Sequence, residues 1–313
     1  MPEKRTEDYC LEIGPMGPIG EHDSLILRVN RNCPWNRCLF CPVYKTKQFS
    51  KRNVEEIMED IDAVSRIWGI IDSASWHLGL GGRVSAEVVR SVIEENASIY
   101  GGSSHHRSEP QAKALQSLYN VANWIYCGTL RVFLQDADAM AMPPKRLSEI
   151  LAYIKKSFPH VETISTYARS KTCSRRSSQE IESLRRSGLS WCYVGIESGC
   201  DEVLTFMNKG VSRDEHIDAG RKLKDAGVKV AAFVMPGLGG GDREKSRSHI
   251  EETISVLNHI RPAEVRVRSL AVLRWTPLFE LVRQGGFSTP GEDLMVEELG
   301  MLIQGLDFDC TFE

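Results

Sequence analysis

No stretch of this 313-residue chain approaches the roughly 18 consecutive apolar residues of a membrane span. Its first twenty residues also lack the succession expected of a secretory leader. Charge of one sign is missing too: 39 Lys and Arg stand against 42 Asp and Glu, a net −3, so nothing pulls the whole molecule toward nucleic acid. Internal repeats and low-complexity tracts are absent. The nine cysteines are an odd number and come without a leader, which argues against a disulfide framework and for a reducing, cytoplasmic setting. What is left is the composition of a soluble globular protein, 42% hydrophobic and 26% charged. Its length allows one large α/β barrel or two ordinary domains.

Against that background one cluster of cysteines stands out, Cys33-Pro-Trp-Asn-Arg-Cys38-Leu-Phe-Cys41, just after the apolar run 24–30. Three close thiolates can hold three irons of a [4Fe–4S] cluster and leave the fourth open to a ligand, which an all-cysteine electron-transfer cluster cannot do. A Cys-x2-Cys pair is also half of a zinc site, yet no second such pair and no Cys-x2-His pair occurs here. A thioredoxin-type redox pair would open a helix in a much smaller fold. On the triplet alone cluster, zinc and unligated thiols all stay open. Cys10 or Cys310 could add a fourth thiolate and close the cluster.

Apolar, β-rich runs at 24–30, 130–136, 160–167, 190–197, 228–235 and 263–272 alternate with helical patterns at 52–68, 144–157, 178–187, 212–226 and 244–260. Ser212 with Glu215 reads as a capping box, and Gly188 and Gly227 stand where helices should stop. This rhythm predicts right-handed βαβ units and an α/β fold, a partial (β/α)6 TIM-like barrel of parallel strands. An N-terminal arm (1–22) precedes a core at 23–275. That core carries a helical insertion at about 69–128, with helices 84–98 and 111–126. A C-terminal extension (276–313), with helices 277–284 and 291–303, should pack on the core. His77, His105 and His106 of the insertion read as solvent-exposed, and Cys192 as a core residue.

Active sites of parallel barrels gather at the carboxyl ends of the strands. The cysteine loop is at such an end, and the fourth strand ends in Gly195-Ile-Glu-Ser-Gly199, followed by Asp201-Glu-Val-Leu204 and Asn208-Lys-Gly-Val-Ser212. With the Cys-x-Phe-Cys ending that contains Phe40, these segments resemble the radical S-adenosylmethionine (SAM) superfamily. Within it they resemble the branch of the Elongator-type, methylthiotransferase and oxygen-independent coproporphyrinogen oxidase enzymes, and the resemblance covers roughly residues 24–280. One departure is the first cysteine gap, with four residues where the family pattern has three. The resemblance implies that Cys33, Cys38 and Cys41 hold the cluster, with Phe40 as a wall beside it. Gln135, Asp136 and Asp138 would receive the ammonium of SAM, and Ser165 or Arg169 its carboxylate. Glu197, beside Ser198, would accept from ribose hydroxyls or the amine. The turn through Met235 and Gly237 would let backbone approach the adenine. Arg274 and Trp275 replace a Pro-Gly common in relatives, and Arg266 and Arg268 precede them.

By the same resemblance, the chain is an oxygen-sensitive enzyme. An external one-electron donor such as flavodoxin or ferredoxin would reduce the cluster. SAM would then break to a 5′-deoxyadenosyl radical, which takes hydrogen from an unidentified substrate. Neither a cobalamin-binding segment nor a second cysteine triplet is in view, which argues against cobalamin-dependent methylation and two-cluster sulfur insertion. Two other readings stand beside this one. A non-catalytic iron–sulfur electron carrier or accessory protein would not need the acceptors at Gln135–Asp138 and Glu197. A tRNA-modifying radical enzyme is kept open by the basic run Arg169, Lys171, Arg175, Arg176 and opposed by the acidic balance, which speaks against a nucleic-acid partner.

Overall fold

The computed structural model describes residues 5–15, 20–102 and 106–313; His105 lies outside them. The first elements are β1 (Leu25–Arg28), β2 (Asn30–Arg31), β3 (Ser50–Lys51) and the long helix α1 (Val54–His77). Then come α2 (Ala86–Glu95), α3 (Ala97–Tyr100), α4 (Glu109–Tyr126), β4 (Arg131–Gln135) and α5 (Pro144–Ser157). The middle of the chain forms β5 (Thr163–Ala168), α6 (Ser170–Ser174), α7 (Ser178–Arg186), β6 (Leu189–Glu197), α8 (Asp201–Phe206) and α9 (Arg213–Asp225). The last elements are β7 (Lys229–Val234), α10 (Arg243–Ile260), β8 (Glu264–Val267), α11 (Pro277–Arg283), α12 (Glu292–Gly305) and β9 (Thr311–Phe312).

Seven strands form one sheet in the order β1-β4-β5-β6-β7-β8-β9, and every neighbouring pair is parallel. Each strand therefore ends on the same rim, and alternate side chains face opposite sides of the sheet. One side meets the helices through a large apolar core that includes Leu25, Leu27, Val132, Leu134, Ile164, Val194 and Val265. The other side packs Phe133, Tyr193 and Ala231 with Ile26, Tyr167, Trp191 and Phe233, a lumen rich in aromatic rings. At its base the buried Glu21 accepts from Arg131, Ser165 and Tyr193, so its charge is compensated. A third apolar cluster sits at the rim, where Leu39 and Phe40 meet Met207, Met235, Leu238 and Leu278. The α/β barrel-like architecture is the one the strand–helix rhythm predicts.

Two differences have clear physical causes. The first helix runs nine residues beyond the expected Trp68, through Gly69 to His77. Its buried stripe Ile57, Ile61, Val64, Ile67, Ile71, Ala74 continues at helical spacing, and that packing outweighs the cost of roughly 1 kcal/mol for an exposed glycine. The tail, expected to carry no element, adds β9 beside β8, where the Thr311 and Glu313 amides donate to the carbonyls of Ala263 and Val265. Two residues are too few to show an alternating pattern. The Ser212–Glu215 capping box forms at the start of α9, and Gly188 and Gly227 both take positive φ after α7 and α9. Among the described residues no helix is long and apolar enough to cross a membrane.

Candidate functional site

The loop carrying the three cysteines leaves the rim after β1 and is clasped at its base by antiparallel pairing of β2 with β3. Asn36 adopts left-handed φ (+51°), and its side-chain amide donates to the carbonyls of Tyr44 and Lys47. Asparagine tolerates that conformation better than most residues. Asn36 is the third residue of the long first gap, so a left-handed turn takes up the gap's extra length. Its backbone amide lies 3.4 Å from Cys33 Sγ. Lys45 Nζ reaches over to the Cys38 carbonyl at 2.6 Å.

Distant segments fix the rest of the loop. Leu39 N donates to the Met207 carbonyl and Leu278 N donates to the Leu39 carbonyl, so the turn after α8 and the start of α11 grip the same residue. Trp35 Nε1 donates to Asn208 O at 2.7 Å. The indole lies so close to Gly210 (φ +69°) that a Cβ there would come within 2.3 Å of the ring.

Cys33, Cys38 and Cys41 are all free and half-buried. Burial pushes the Cys38 thiol up, opposed by the positive charges of Lys209 and Arg169, while the nearby Cys41 and Cys33 add to the rise. Burial likewise raises Cys41, countered by a bond from the Val43 amide and by Lys209 and Lys45. Three thiols close enough for their charges to interact, with backbone amides at two of their sulfurs and the ammonium charges of Lys209 and Lys45 nearby, suit an anionic iron–sulfur group. Among the described residues no three His, Cys, Asp or Glu side chains are gathered for a single metal ion. Cys10 is held elsewhere, by the carbonyls of Thr6 and Pro110, and Cys310 stands just before β9.

The segment after β4 serves this loop more than it faces a ligand. Asp136, fully buried, accepts from Arg28 Nη2 at 2.5 Å and Nε at 2.9 Å, from the Asn32 amide at 3.0 Å and from the Tyr44 hydroxyl. Gln135 Oε1 accepts from the Gly14 amide at 2.8 Å. Asp138 Oδ2 accepts from Thr172 at 2.5 Å, and burial, against that bond and Arg169, lifts its pKa to about 6. Of the acceptors expected here, Asp136 is thus already saturated.

Across the rim, Glu197 closes β6 with φ +65°, and its Oε1 lies 3.1 Å from Lys209 Nζ. Burial opposes the Lys209 charge, yet Glu197 and Cys38 raise its pKa, so it is a firmly protonated ammonium between carboxylate and thiols. Lys209 Nζ also sits 5.8 Å from the Phe40 ring, and Phe40 belongs to the rim cluster. Gly195 is needed beneath them: a Cβ there would be 2.5 Å from Glu197 Oε1 and 3.0 Å from Lys209 Nζ. Arg169 stands over Trp35 at 5.3 Å and donates to the Lys209 carbonyl.

Three expected contacts turn elsewhere. Ser165 is buried low in the lumen on Glu21 and Val132 O, away from the rim. Ser198 pairs with His249 Nδ1 at 2.7 Å, and His249 Nε2 meets Met235 O at 3.2 Å. A carbonyl only accepts, so Nε2 donates and the Ser198 hydroxyl donates to Nδ1; burial keeps this imidazole neutral, its pKa lowered to about 4. The pair ties the end of β6 to the end of β7. Gly237 N donates to Glu298 Oε2 at 2.5 Å, which binds the glycine turn to α12. The structure therefore brings together the cysteines, Phe40, Arg169, Glu197 and Met235, whose amide donates to Glu197 O. Lys209 was missed as a site residue. Its only signal was a place in Asn208-Lys-Gly210, and nothing local says that this lysine turns inward to Glu197.

Comparison with known proteins follows from this geometry. A sequence model described as the radical SAM superfamily matches residues 27–253. The chain is 27% identical over 119 residues to a tRNA uridine(34) acetyltransferase of Methanocaldococcus jannaschii, covering 38% of this chain and 22% of that protein. It is 23% identical over 159 residues to Elongator complex protein 3 of Mus musculus, covering 50% of this chain and 28% of the relative. The matched part is thus about a quarter of the length of these curated relatives. Among solved structures, a radical SAM methyltransferase of Kitasatospora setae, solved with cobalamin and a [4Fe–4S] cluster, superposes with a TM-score of 0.51 at 12% identity. That superposition covers 87% of this chain and 43% of the other, a likeness of fold.

Proposed function

Because this chain belongs to the radical SAM superfamily, whose enzymes work with a [4Fe–4S] cluster and SAM, we propose that its rim binds both and uses them to take hydrogen from a substrate in the lumen. When bound, the two cofactors supply one-electron cleavage of the sulfonium and a carbon radical that abstracts hydrogen. Cys33, Cys38 and Cys41 would hold the cluster. The observation that carries the reading is the half-buried Lys209 ammonium, 3.1 Å from Glu197 and close enough to Cys38 for their charges to interact. It offers a fixed positive charge to a ligand carboxylate, and Glu197 keeps an acceptor for an amine or ribose hydroxyls. Phe40 and Met235 line the apolar side of the same place and keep water away. Below it, Tyr167, Phe233 and Tyr193 form the walls against which a substrate would be oriented. Nine free thiols suit a reducing cytoplasm.

The test is anaerobic reconstitution with iron and sulfide, then dithionite and SAM, with chromatography for 5′-deoxyadenosine. Its formation, absent in Cys38→Ala, is the expected result. A fully loaded chain whose electron-spin spectrum does not change when SAM is added would refute the reading. A tRNA substrate is a second reading, supported by what two relatives of M. jannaschii and M. infernus are named for. Salt-sensitive tRNA binding would favour it.

A further inference from the structure

We propose that the basic recess beside Trp35 is the docking face for the acidic protein that delivers the electron to this site, an inference that rests on the functional reading above. A recess of about 450 Å³ opens next to the cysteine loop, lined by Trp35, Arg169, Lys171, Arg175 and Arg176 among others, and no carboxylate lines it. Arg37, from within the cysteine loop, stands over the same indole at 5.1 Å. Lys171 is held by Glu215, and Arg176 by the carbonyls of Met140 and Met142, so those two are fixed. Arg37 and Arg175 are exposed, and among the described residues neither has an ion pair. Arg37 and Arg169 flank one ring, and Arg175 lines the same recess, where among the described residues only the charge of Glu215 reaches it, so the face keeps an excess of positive charge for a partner to meet.

The position matters as much as the charge. Trp35 lies between Cys33 and Cys38 in the chain and covers Gly210, next to the half-buried Lys209. A protein docked on the recess would thus be separated from the thiols by little more than the loop itself. Redox encounters are small and charge-steered, and a compact cluster of cations around an aromatic ring fits that kind of interface. A nucleic-acid duplex needs a longer basic track than one recess provides, and the chain as a whole carries a net −3. The transfer balances simply: the donor loses one electron, the iron–sulfur group gains it, and no bond or proton need change.

The experiment uses reconstituted holoprotein under anaerobic conditions, with a bacterial flavodoxin in its hydroquinone form as the probe. Binding is measured by calorimetry at low and high salt, and cluster reduction by stopped-flow absorbance. The test variant is R37E/R175E. The control is K156E/R186E, with the same charge change in the last turns of α5 and α7, at the opposite end of the barrel. Expected is a loss of affinity of about tenfold or more at low salt in the test variant. Reduction by flavodoxin should slow in proportion, while reduction by dithionite and iron content stay as in the parent. Should the reversal impair loading, R37Q/R175Q takes its place, with a smaller loss expected. Flavodoxin affinity equal to the parent overturns the proposal, as does an equal loss in the control. So does loss of tRNA binding with flavodoxin binding intact. If no variant or parent loads a cluster, the functional reading fails instead, and the calorimetric arm still judges the docking face.

Discussion

Replacing Asp136 by asparagine should loosen the cysteine loop without emptying the space it occupies. The parent carboxylate is fully buried and accepts four donors: two from Arg28, one from the Asn32 amide and one from Tyr44. An asparagine can keep its oxygen toward Arg28 and Asn32 and turn its amide toward the Tyr44 oxygen. Shape and bond count survive, but the negative charge does not. Removing one partner of a buried ion pair costs about 3–5 kcal/mol. Here Glu12 Oε1 remains 3.0 Å from Arg28 Nη1, half-exposed, and retains part of the compensation. The net cost should therefore be about 2–3 kcal/mol. With a urea slope of about 3 kcal/mol/M, that is a drop of roughly 0.7–1 M in the unfolding midpoint of the apoprotein. Iron bound per chain after reconstitution should fall as well, because the same residue orients the loop. Asp136→Ala, which strands all four donors, should cost more than Asp136→Asn. A midpoint unchanged in D136N, together with full iron loading, would refute the idea that this carboxylate organises the loop.

Four further outcomes follow from the geometry. Cys38→Ala should abolish cluster absorbance and iron retention in reconstituted protein; full loading would remove it from the ligand set. Lys209→Met should weaken SAM binding by roughly a hundredfold, as expected for about 3 kcal/mol of lost charge pairing, with Lys209→Arg recovering part in calorimetric titration. Gly210→Ala places a methyl within 2.3 Å of the Trp35 ring in a backbone conformation that disfavours alanine, so iron loading should fall while far-ultraviolet dichroism stays near the parent's. His249, whose folded pKa is lowered to about 4 by burial, is uncharged when folded but takes a proton near pH 6.5 when unfolded. The unfolded state binds more protons between those values, so acid removes its stabilising share. The stability gap between the parent and His249→Gln should accordingly narrow from pH 7 to pH 4.5 in denaturation curves; a constant gap would mean that this ring does not titrate as argued.

Much of this arrangement was legible from residue order because the barrel repeats one physical unit. Apolar β-rich runs, helical patterns with a capping box and glycine stops showed six of the seven strands of the sheet and put the cysteine loop, Glu197 and Arg169 on one rim. What stayed hidden depends on contacts between distant residues. Asp136 reads as a free carboxylate in sequence, and only the fold brings Arg28 and Tyr44 to it. Ser165 ends a strand pattern near the rim, but alternation and register turn it to Glu21 at the lumen base. Lys209 looks like any solvated lysine in a turn until Glu197 and the cysteine loop close over it. The reach of α1 through Gly69 was hidden for the opposite reason, since a local helix-breaking signal was overruled by a long buried stripe.

The grip on Leu39 also dictates an order of events during biosynthesis. Its amide is held by residue 207 and its carbonyl by residue 278, and Trp35 is anchored on residue 208. When the three cysteines leave the ribosome, none of those partners has yet been made. The nascent loop has its thiols but not its shape, and it must wait for nearly the whole chain before the rim can close around it. Iron insertion thus belongs after translation, on a folded barrel, and any oxidation of those thiols before that point would pre-empt it.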